Sequence, residues 1–211
     1  MPTSRVSRHS YHHGDLANAL TGAALELART GGPEAVVLRE AARQIGVSAT
    51  AAYRHFSSRE ALMHAVKDCA LGEMVERMQQ ELERVPAGGD PATRLRARLR
   101  ALGAGYIGFA LEKPGLFRTA FQRNTPITGQ HGADPMETAP FKMVIAILDD
   151  LVELGLIEPD KRPFLGMAAW ATVHGMADLI LDGPMRHMTP EIQQAAVDRA
   201  LDMVVDGITV R

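Results

Sequence analysis

Tyr53, Arg54 and His55 place a phenol, a guanidinium and an imidazole side by side, and Phe56 follows them as an apolar anchor. All four fall within about one turn of a predicted helix. The polar groups suit the major groove of DNA, while the apolar ring suits the core of the domain that carries the helix. This pattern indicates a helix that lies against DNA, so the residues before it must supply the turn that presents it.

The segment from residue 38 to residue 59 has the pattern of two short helices around such a turn. Ala41, Ala42 and Ile45 give the first helix an apolar face. Gly46 is free to adopt the positive φ that a sharp turn between helices needs. Ser48 is a good N-cap for the second helix. The segment is therefore predicted to be a helix-turn-helix.

In a helix-turn-helix, the N-terminal residues of the second helix face the base edges in the major groove. Here these residues are Ser48, Ala49 and Thr50, which are small and have little hydrogen-bonding reach. Thr50 is able to donate, to accept, or to press its methyl group against a thymine methyl. Arg39, on the first helix, is the nearby residue able to bind guanine in bidentate fashion. We expect base contacts from these four positions.

The ordered string of turn, cap and Tyr-Arg-His-Phe resembles the TetR family of transcriptional regulators, and the close likeness covers roughly the first third of the chain. Further along, Trp170, His174 and Gly175 resemble the Trp-x-x-x-His-Gly signature of a TetR-type C-terminal domain. The segments that carry the first likeness are residues 11–16 (YHHGDL), 46–48 (GVS), 53–56 (YRHF) and 57–62 (SSREAL).

The resemblance implies that Tyr53, His55 and Arg59 hold DNA phosphates, which sets position without reading sequence. Two alternatives stay open at this point: Tyr53 as a half-buried packing residue, and His55 as a buried histidine with a local partner. Val37 departs from the family pattern, because Ser or Thr commonly caps the first helix of the motif. The weaker cap costs roughly 1 kcal/mol.

Helical spacing of apolar residues along the whole chain, without a convincing strand period, predicts an all-α fold. The expected architecture is an N-terminal three-helix helix-turn-helix domain followed by a helical ligand-binding and dimerisation domain. The predicted divisions are a flexible arm at residues 1–14, the DNA-binding domain at 15–60, and the effector-binding and dimerisation domain at 61–211.

Several helix starts have recognisable signals. Asp15 is the expected cap of the first helix, Ser57 with Glu60 forms a capping-box pattern for a long helix, and Asp90 with Pro91 opens the next one. The long helix is expected to turn Leu62, Val66, Cys69, Met74 and Met78 inward. The later helices are predicted at residues 92–112, 114–123, 138–154, 162–181 and 189–206, with a mobile loop at 124–140.

The helix around Trp170 is apolar almost all round, so it must be buried on more than one side. Ala168, Thr172 and Gly175 form a small-residue face that a second helix is able to approach closely. The resemblance implies a homodimer, formed by a four-helix bundle of the last two long helices of each subunit. A single large monomeric core is the alternative.

Trp170 and His174 are four residues apart and share a helix face, with Asp178 one turn further. They are expected either to line a small-molecule cavity, with Asp178 orienting His174, or to be core residues. Further candidate ligand contacts, chosen as large apolar groups on the helices of the second domain, are Tyr106, Phe109, Phe117, Phe121 and Met143. The resemblance implies that an effector shifts the long helix and so changes the separation of two recognition helices.

Composition narrows the class of protein. The net charge is −2, yet residues 1–59 hold seven arginines and no lysine against four carboxylates, a local balance of +3. A mildly basic head on an acidic body suits a few phosphate contacts per subunit. The single cysteine, Cys69, is expected to be a buried structural thiol, and the lack of a signal peptide or membrane span indicates the cytoplasm.

No enzyme motif stands out: there is no Gly-rich phosphate loop, no His-Glu-x-x-His and no Gly-x-Ser-x-Gly. We therefore expect no catalytic residues, no cofactor and no metal, although His9, His12 and His13 offer metal-ligand chemistry. The expected function is a ligand-responsive repressor that binds an inverted-repeat operator in double-stranded DNA and is released by a small apolar effector. The alternatives are a non-specific or architectural DNA binder and an activator of the same family.

Overall fold

The computed structural model describes residues 11–122 and 135–209. Within these ranges the chain is helical and contains no strand, which confirms the predicted all-α fold. The predicted arm up to residue 10 and the predicted loop over residues 124–134 lie outside the described residues, whereas residues 135–140, which were also predicted to belong to that loop, include a short 3₁₀ helix at Pro135–Glu137 and the start of an α-helix at Ala139. The α-helices are α1 (Tyr11–Gly31), α2 (Leu38–Gln44), α3 (Ala49–Tyr53), α4 (Arg59–Glu83), α5 (Pro91–Glu112), α6 (Pro114–Ala120), α7 (Ala139–Glu153), α8 (Leu165–Leu181) and α9 (Pro190–Ile208).

The chain divides into two compact units. The first contains residues 1–70 and 115–132, and the second contains residues 71–114 and 133–211. Helix α4 contributes its first half to one unit and its second half to the other, while α6 belongs to the first unit. The predicted division of function between residues 15–60 and 61–211 stays a prediction.

The first unit is built around α1. Leu20, Ala24 and Ala28 recur every four residues along it and are fully buried, so they form one continuous apolar stripe. The helix begins at Tyr11, four residues before the start expected at Asp15. Helix α6 packs against α1 so closely that a Cβ at Gly115 would overlap the backbone carbonyls of Ala28 and Arg29.

The first turn of α4 is capped by a different serine from the one predicted. Ser58, and not Ser57, accepts a hydrogen bond from the backbone N–H of Ala61 at 3.2 Å. The prediction for Cys69 was also wrong, because this side chain is exposed. The buried stripe of α4 has a period of four and passes through Ala70 instead, in the series Leu62, Val66, Ala70, Met74 and Met78.

The second unit is organised around α5, which packs against α7, α8 and α9. Asp90 caps α5 by accepting from the N–H of Thr93 at 2.8 Å, and Pro91 is its first residue, as predicted. Leu99, Leu102 and Phe109 of α5 are buried in the core. The second half of α4 also approaches α5 closely, because α5 has a glycine at the contact.

Phe164 precedes α8 with φ of 66°, in the left-handed region, and it is the one non-glycine residue with positive φ within residues 11–122 and 135–209. Its side chain is 83% exposed. None of the helices in the part of the chain that the structure describes is both long enough and apolar enough to cross a membrane.

Candidate functional site

The first candidate site is the turn between α2 and α3. Gly46 has φ of 72° and its N–H donates to the carbonyl of Arg43 at 3.2 Å. Val47 N–H donates to the carbonyl of Ala42 at 2.9 Å, which completes a Schellman-type end for α2. Because only glycine adopts this conformation without strain, Gly46 fixes the angle at which the chain leaves α2. The predicted turn is confirmed.

Ser48 begins the second helix of the motif. Its Oγ accepts a hydrogen bond from the N–H of Ala51 at 3.2 Å, so Ser48 is the predicted N-cap of α3. Ala52 is fully buried and contributes the close contact of α3 with the rest of the unit. Ala49 is half-buried and Thr50 is exposed, so the N-terminal face of α3 consists of small side chains open to a partner.

Three of the other predicted DNA contacts differ in their exposure. Arg39 is exposed on α2, and Tyr53 is 45% exposed at the end of α3. This exposure favours a contact role over a packing role for Tyr53. His55 is half-buried, as is Phe56, which the sequence placed in the core.

Arg59, the first residue of α4, has partners within its own unit. Its Nε donates to the carbonyl of Val36 at 2.8 Å, and its Nη2 donates to the carbonyl of Pro33 at 2.6 Å. The carboxylate of Glu34 lies 3.9 Å from Nη2. The guanidinium thus joins the start of α4 to the loop before α2. Helix α2 itself has no side-chain cap at Val37, as the sequence predicted.

The second candidate site lies in the second unit and joins α5 to α8 through a buried phenol. Trp170 Nε1 donates to the hydroxyl oxygen of Tyr106 at 3.1 Å, and this oxygen lies 2.8 Å from Nδ1 of His174. His174 Nε2 lies 3.7 Å from a carboxylate oxygen of Asp178. We call these four residues the tyrosine relay.

The tyrosine relay has one donor of fixed direction, the indole N–H of Trp170. An indole N–H only donates, so the oxygen of Tyr106 accepts from Trp170, while the direction of the bond between Tyr106 and Nδ1 of His174 follows the tautomer of the imidazole. Tyr106 is only 4% exposed, and burial raises the pKa of its phenol well above the usual range, so the phenol keeps its proton.

Other predicted effector contacts are distributed differently. Phe117 and Phe121 belong to the first unit, where their ring centroids are 5.1 Å apart. Phe109 is fully buried in the core of the second unit, and Met143 of α7 is half-buried. The sequence could not assign these residues to one unit or the other, because each is a large apolar group in or next to a helix.

The structure brings Tyr106, Trp170 and His174 together and adds an aromatic neighbour that the sequence reasoning did not single out. The ring of Phe141, on α7, lies 6.5 Å from that of Trp170 in an edge-to-face arrangement. The only signal for Phe141 in the sequence is an apolar residue near a helix start. The described residues contain no group of three or more His, Cys, Asp and Glu side chains arranged to hold a metal ion.

The outer faces of α8 and α9 are partly apolar. Ala168 is exposed, and Thr172 and Gly175 are half-buried, so the predicted small-residue face of α8 is not covered within the second unit. Large apolar side chains of the two helices are also exposed, namely Met167 (37%), Leu179 (42%), Ile192 (53%) and Met203 (66%). We call this surface the α8–α9 face.

A capped helix-turn-helix in one unit and a helical body in the other define a DNA-binding transcriptional regulator. Residues 20–66 match the family model described as bacterial regulatory proteins, tetR family, and residues 99–204 match that of a tetracyclin repressor-like C-terminal domain. The chain belongs to the TetR family. Neither model describes an enzyme.

Solved structures from several bacteria share the fold. A protein of unknown function from Rhodococcus sp. RHA1 is 25% identical, with a TM-score of 0.75 over 96% of this chain and 100% of that one. A putative tetR family regulator from Shewanella sp. PV-4 is 16% identical, with a TM-score of 0.67 over 92% and 98%. A TetR variant from Acinetobacter baumannii AYE, in complex with minocycline, is 19% identical, with a TM-score of 0.63 over 96% of each chain. No curated protein matches the chain.

Proposed function

We propose that this regulator is a ligand-responsive repressor that binds an inverted-repeat operator as a homodimer and leaves it when a small effector binds. The observation that carries the DNA-binding part is the Gly46 turn followed by the Ser48 cap, which presents a short helix with small exposed residues. Such a face is able to enter the major groove without steric obstruction.

Base contacts are assigned to Arg39, Ser48, Ala49 and Thr50. Arg39 is exposed and offers bidentate donors for guanine, while Thr50 is exposed and offers a methyl and a hydroxyl. Ser48 Oγ already accepts one hydrogen bond from Ala51, which leaves its own hydroxyl hydrogen and one lone pair for a base edge. This limited chemistry implies modest sequence discrimination by a single head.

Phosphate contacts are assigned to Tyr53 and His55. Tyr53 is 45% exposed at the end of α3 and has a hydroxyl that is able to donate to a phosphate oxygen. His55 lies two residues later and is half-buried. Both contacts fix the position of the head and carry no sequence information.

Two heads are needed for useful affinity, and they are expected about 34–36 Å apart on the operator. The α8–α9 face supports a homodimer, since it exposes Met167, Leu179, Ile192 and Met203 beside small residues of α8. Burial of apolar surface is worth roughly 25 cal/mol per Å² before the costs of association, so a second copy of the face is a suitable cover.

The effector is assigned to the second unit, near the tyrosine relay. Trp170 and Phe141 offer aromatic surface, and the His174 ring offers a polar edge that is partly exposed at 22%. An aromatic or apolar molecule with one hydrogen-bonding group fits this chemistry. The minocycline complex of the Acinetobacter regulator supports a ligand in a body of this fold, although the likeness extends to the fold alone. A regulator of this kind acts on DNA in the cytoplasm.

The test is selection of the purified protein on random duplex DNA, with sequencing of the bound pool. An enriched inverted repeat supports a sequence-specific dimer. Thr50→Glu, which places a carboxylate at the base edges, should abolish enrichment, whereas Thr30→Glu at the exposed end of α1 should retain it. No enrichment, together with binding that disappears at moderate salt, would establish a non-specific binder instead.

Repression and release are tested on the selected duplex. Placed upstream of a reporter gene, the operator should lower expression when the regulator is present, and a rise would indicate an activator. Apolar and aromatic compounds are then screened for loss of operator binding. A compound that binds the free and DNA-bound forms equally cannot release the protein, since only differential affinity shifts the equilibrium.

A further inference from the structure

Arg59 bridges two parts of the first unit that are distant in sequence. It is the first residue of α4, yet its guanidinium donates to the carbonyls of Val36 and Pro33, 23 and 26 residues earlier. The two bonds measure 2.8 and 2.6 Å and leave from different nitrogens of one planar group. A guanidinium is preorganised for such a fork, whereas a lysine ammonium is a single point of charge.

The loop that Arg59 holds determines where α2 begins. Val36 is fully buried and Val37 precedes α2 without a side-chain cap, so neither residue has a polar side chain to fix the backbone there. The charge-assisted bonds from Arg59 supply that restraint. Because α2 leads through the Gly46 turn into α3, a fixed start of α2 also fixes the pose of α3.

We propose that Arg59 is a positioning residue for the recognition helix and not a phosphate ligand. The bonds to Val36 and Pro33 occupy Nε and one hydrogen of Nη2, so the guanidinium is held towards the loop, and the carboxylate of Glu34 at 3.9 Å partly offsets its positive charge. The inference rests on the proposed operator binding for its effect on DNA. Its structural part, the hold on α2 and α3, stands on the first unit alone.

Arg59→Lys and Arg59→Gln separate the two roles. A lysine replaces a phosphate ligand as a point charge but does not reproduce the fork to two carbonyls. We expect both variants to lose operator affinity by a similar factor of about ten, because both lose the charge-assisted pair of hydrogen bonds to the two carbonyls. The slope of log affinity against log salt should match the wild type in both. The proposal is overturned if Arg59→Lys binds the operator like the wild type and Arg59→Gln has a salt slope reduced by about one. That result would show that Arg59 is a phosphate ligand.

A second measurement tests whether Arg59 affects only the stability of the protein. It is the ratio of operator affinity to affinity for a scrambled duplex, measured on the folded, active fraction. A displaced recognition helix lowers this ratio, whereas a loss of stability alone leaves it unchanged and would overturn the proposal. Arg43→Gln is the matched control. It removes one positive charge from the same unit, where Arg43 is exposed and pairs with Glu40 at 2.6 Å, and it should retain the ratio.

Hydrogen exchange without DNA decides the structural part even if selection yields no operator. Arg59→Lys should speed exchange of backbone amides over residues 38–53 by about ten-fold, while Arg43→Gln should not. Faster exchange without any selected duplex would retain the hold of Arg59 on α2 and reject operator binding. Unchanged exchange would reject the role of Arg59, whatever the selection gives.

Discussion

Gly105 of α5 lies against the backbone of Met78 in α4, where a Cβ added to the glycine would be 2.6 Å from the Cα of Met78. Two helices approach this closely only where one of them has no side chain. Backbone atoms cannot rotate away as a flexible side chain can, so the contact excludes every larger residue. It lies wholly within the second unit.

Gly105→Ala should therefore destabilise the second unit, in spite of the higher helix propensity of alanine. Overpacking against a rigid neighbour costs about 1–3 kcal/mol. Urea unfolding followed by circular dichroism measures the loss. Gly72→Ala is the control, because Gly72 lies within α4 with nothing near its Cβ position. The control should gain about 0.5–1 kcal/mol, and a gain in both variants would contradict the close contact.

Tyr106→Phe should cost stability because it removes the centre of the tyrosine relay. Trp170 Nε1 would lose the hydroxyl oxygen to which it donates, and Nδ1 of His174 would lose the hydroxyl group 2.8 Å away. Both bonds are partly buried, so water replaces them only in part. An unsatisfied buried polar group costs about 1–3 kcal/mol. Thermal and urea unfolding should show this loss, and any effector that hydrogen-bonds through His174 should bind less well.

The same chemical change at an exposed tyrosine supplies the comparison. Tyr53 is 45% exposed, so Tyr53→Phe should alter unfolding by less than about 0.5 kcal/mol. Operator affinity should fall instead, because a phosphate contact is lost. Equal destabilisation by the two variants would mean that the relay contributes nothing specific.

Val37→Ser should stabilise the first unit. Val37 has extended backbone angles, precedes α2 and makes no capping bond, so a serine hydroxyl there is able to accept from the first turn of the helix. A good N-cap is worth about 1 kcal/mol. Ser48→Ala should act in the opposite direction at α3, where the cap is present at 3.2 Å. Differential unfolding of the two variants checks both signs, and loss of stability in Val37→Ser would contradict the geometry.

Met203→Glu should dissociate the proposed homodimer. Met203 is 66% exposed on α9, so a carboxylate there is solvated in a monomer and buried without a partner at a symmetric contact. Sedimentation should show a shift to the monomer, with operator affinity falling in parallel. Leu154→Glu is the control, because Leu154 is 48% exposed at the end of α7 and outside the α8–α9 face. A dimer that survives Met203→Glu would place the subunit contact elsewhere.

Local signals in the sequence predicted three of the helix boundaries correctly, whereas α1 begins four residues before the expected cap at Asp15 and α3 ends at Tyr53. Gly46, Ser48 and Asp90 each act through backbone geometry within a few residues, and each behaves in the structure as its chemistry predicts. The cap of α4 was predicted at Ser57 but is Ser58, because the two serines are adjacent and both suit a cap. Neighbouring residues with equal capping ability are separated only by the tertiary setting of the helix.

Contacts between distant segments were beyond the sequence. The resemblance placed Arg59 on a phosphate, but its bonds to Val36 and Pro33 depend on how the start of α4 meets the loop before α2. Similarly, aromatic residues of equal character proved to belong to different units, as Tyr106 and Phe117 do. Amphipathic spacing identifies a buried face but does not identify what that face meets.

Helix α5 concentrates its attachments on a short stretch. Arg100 binds Asp198 and Asp202 of α9 at 2.7 and 2.9 Å, Gly105 admits α4, and Tyr106 joins α8. The effects of substitutions at these positions on the free energy of unfolding will therefore not add simply to the effects of substitutions in α4, α8 and α9. A library of variants of the proposed effector site should therefore leave these positions of α5 unchanged, because substitutions there disturb contacts with three other helices. Met143 of α7, which is half-buried, is a candidate position for such a library.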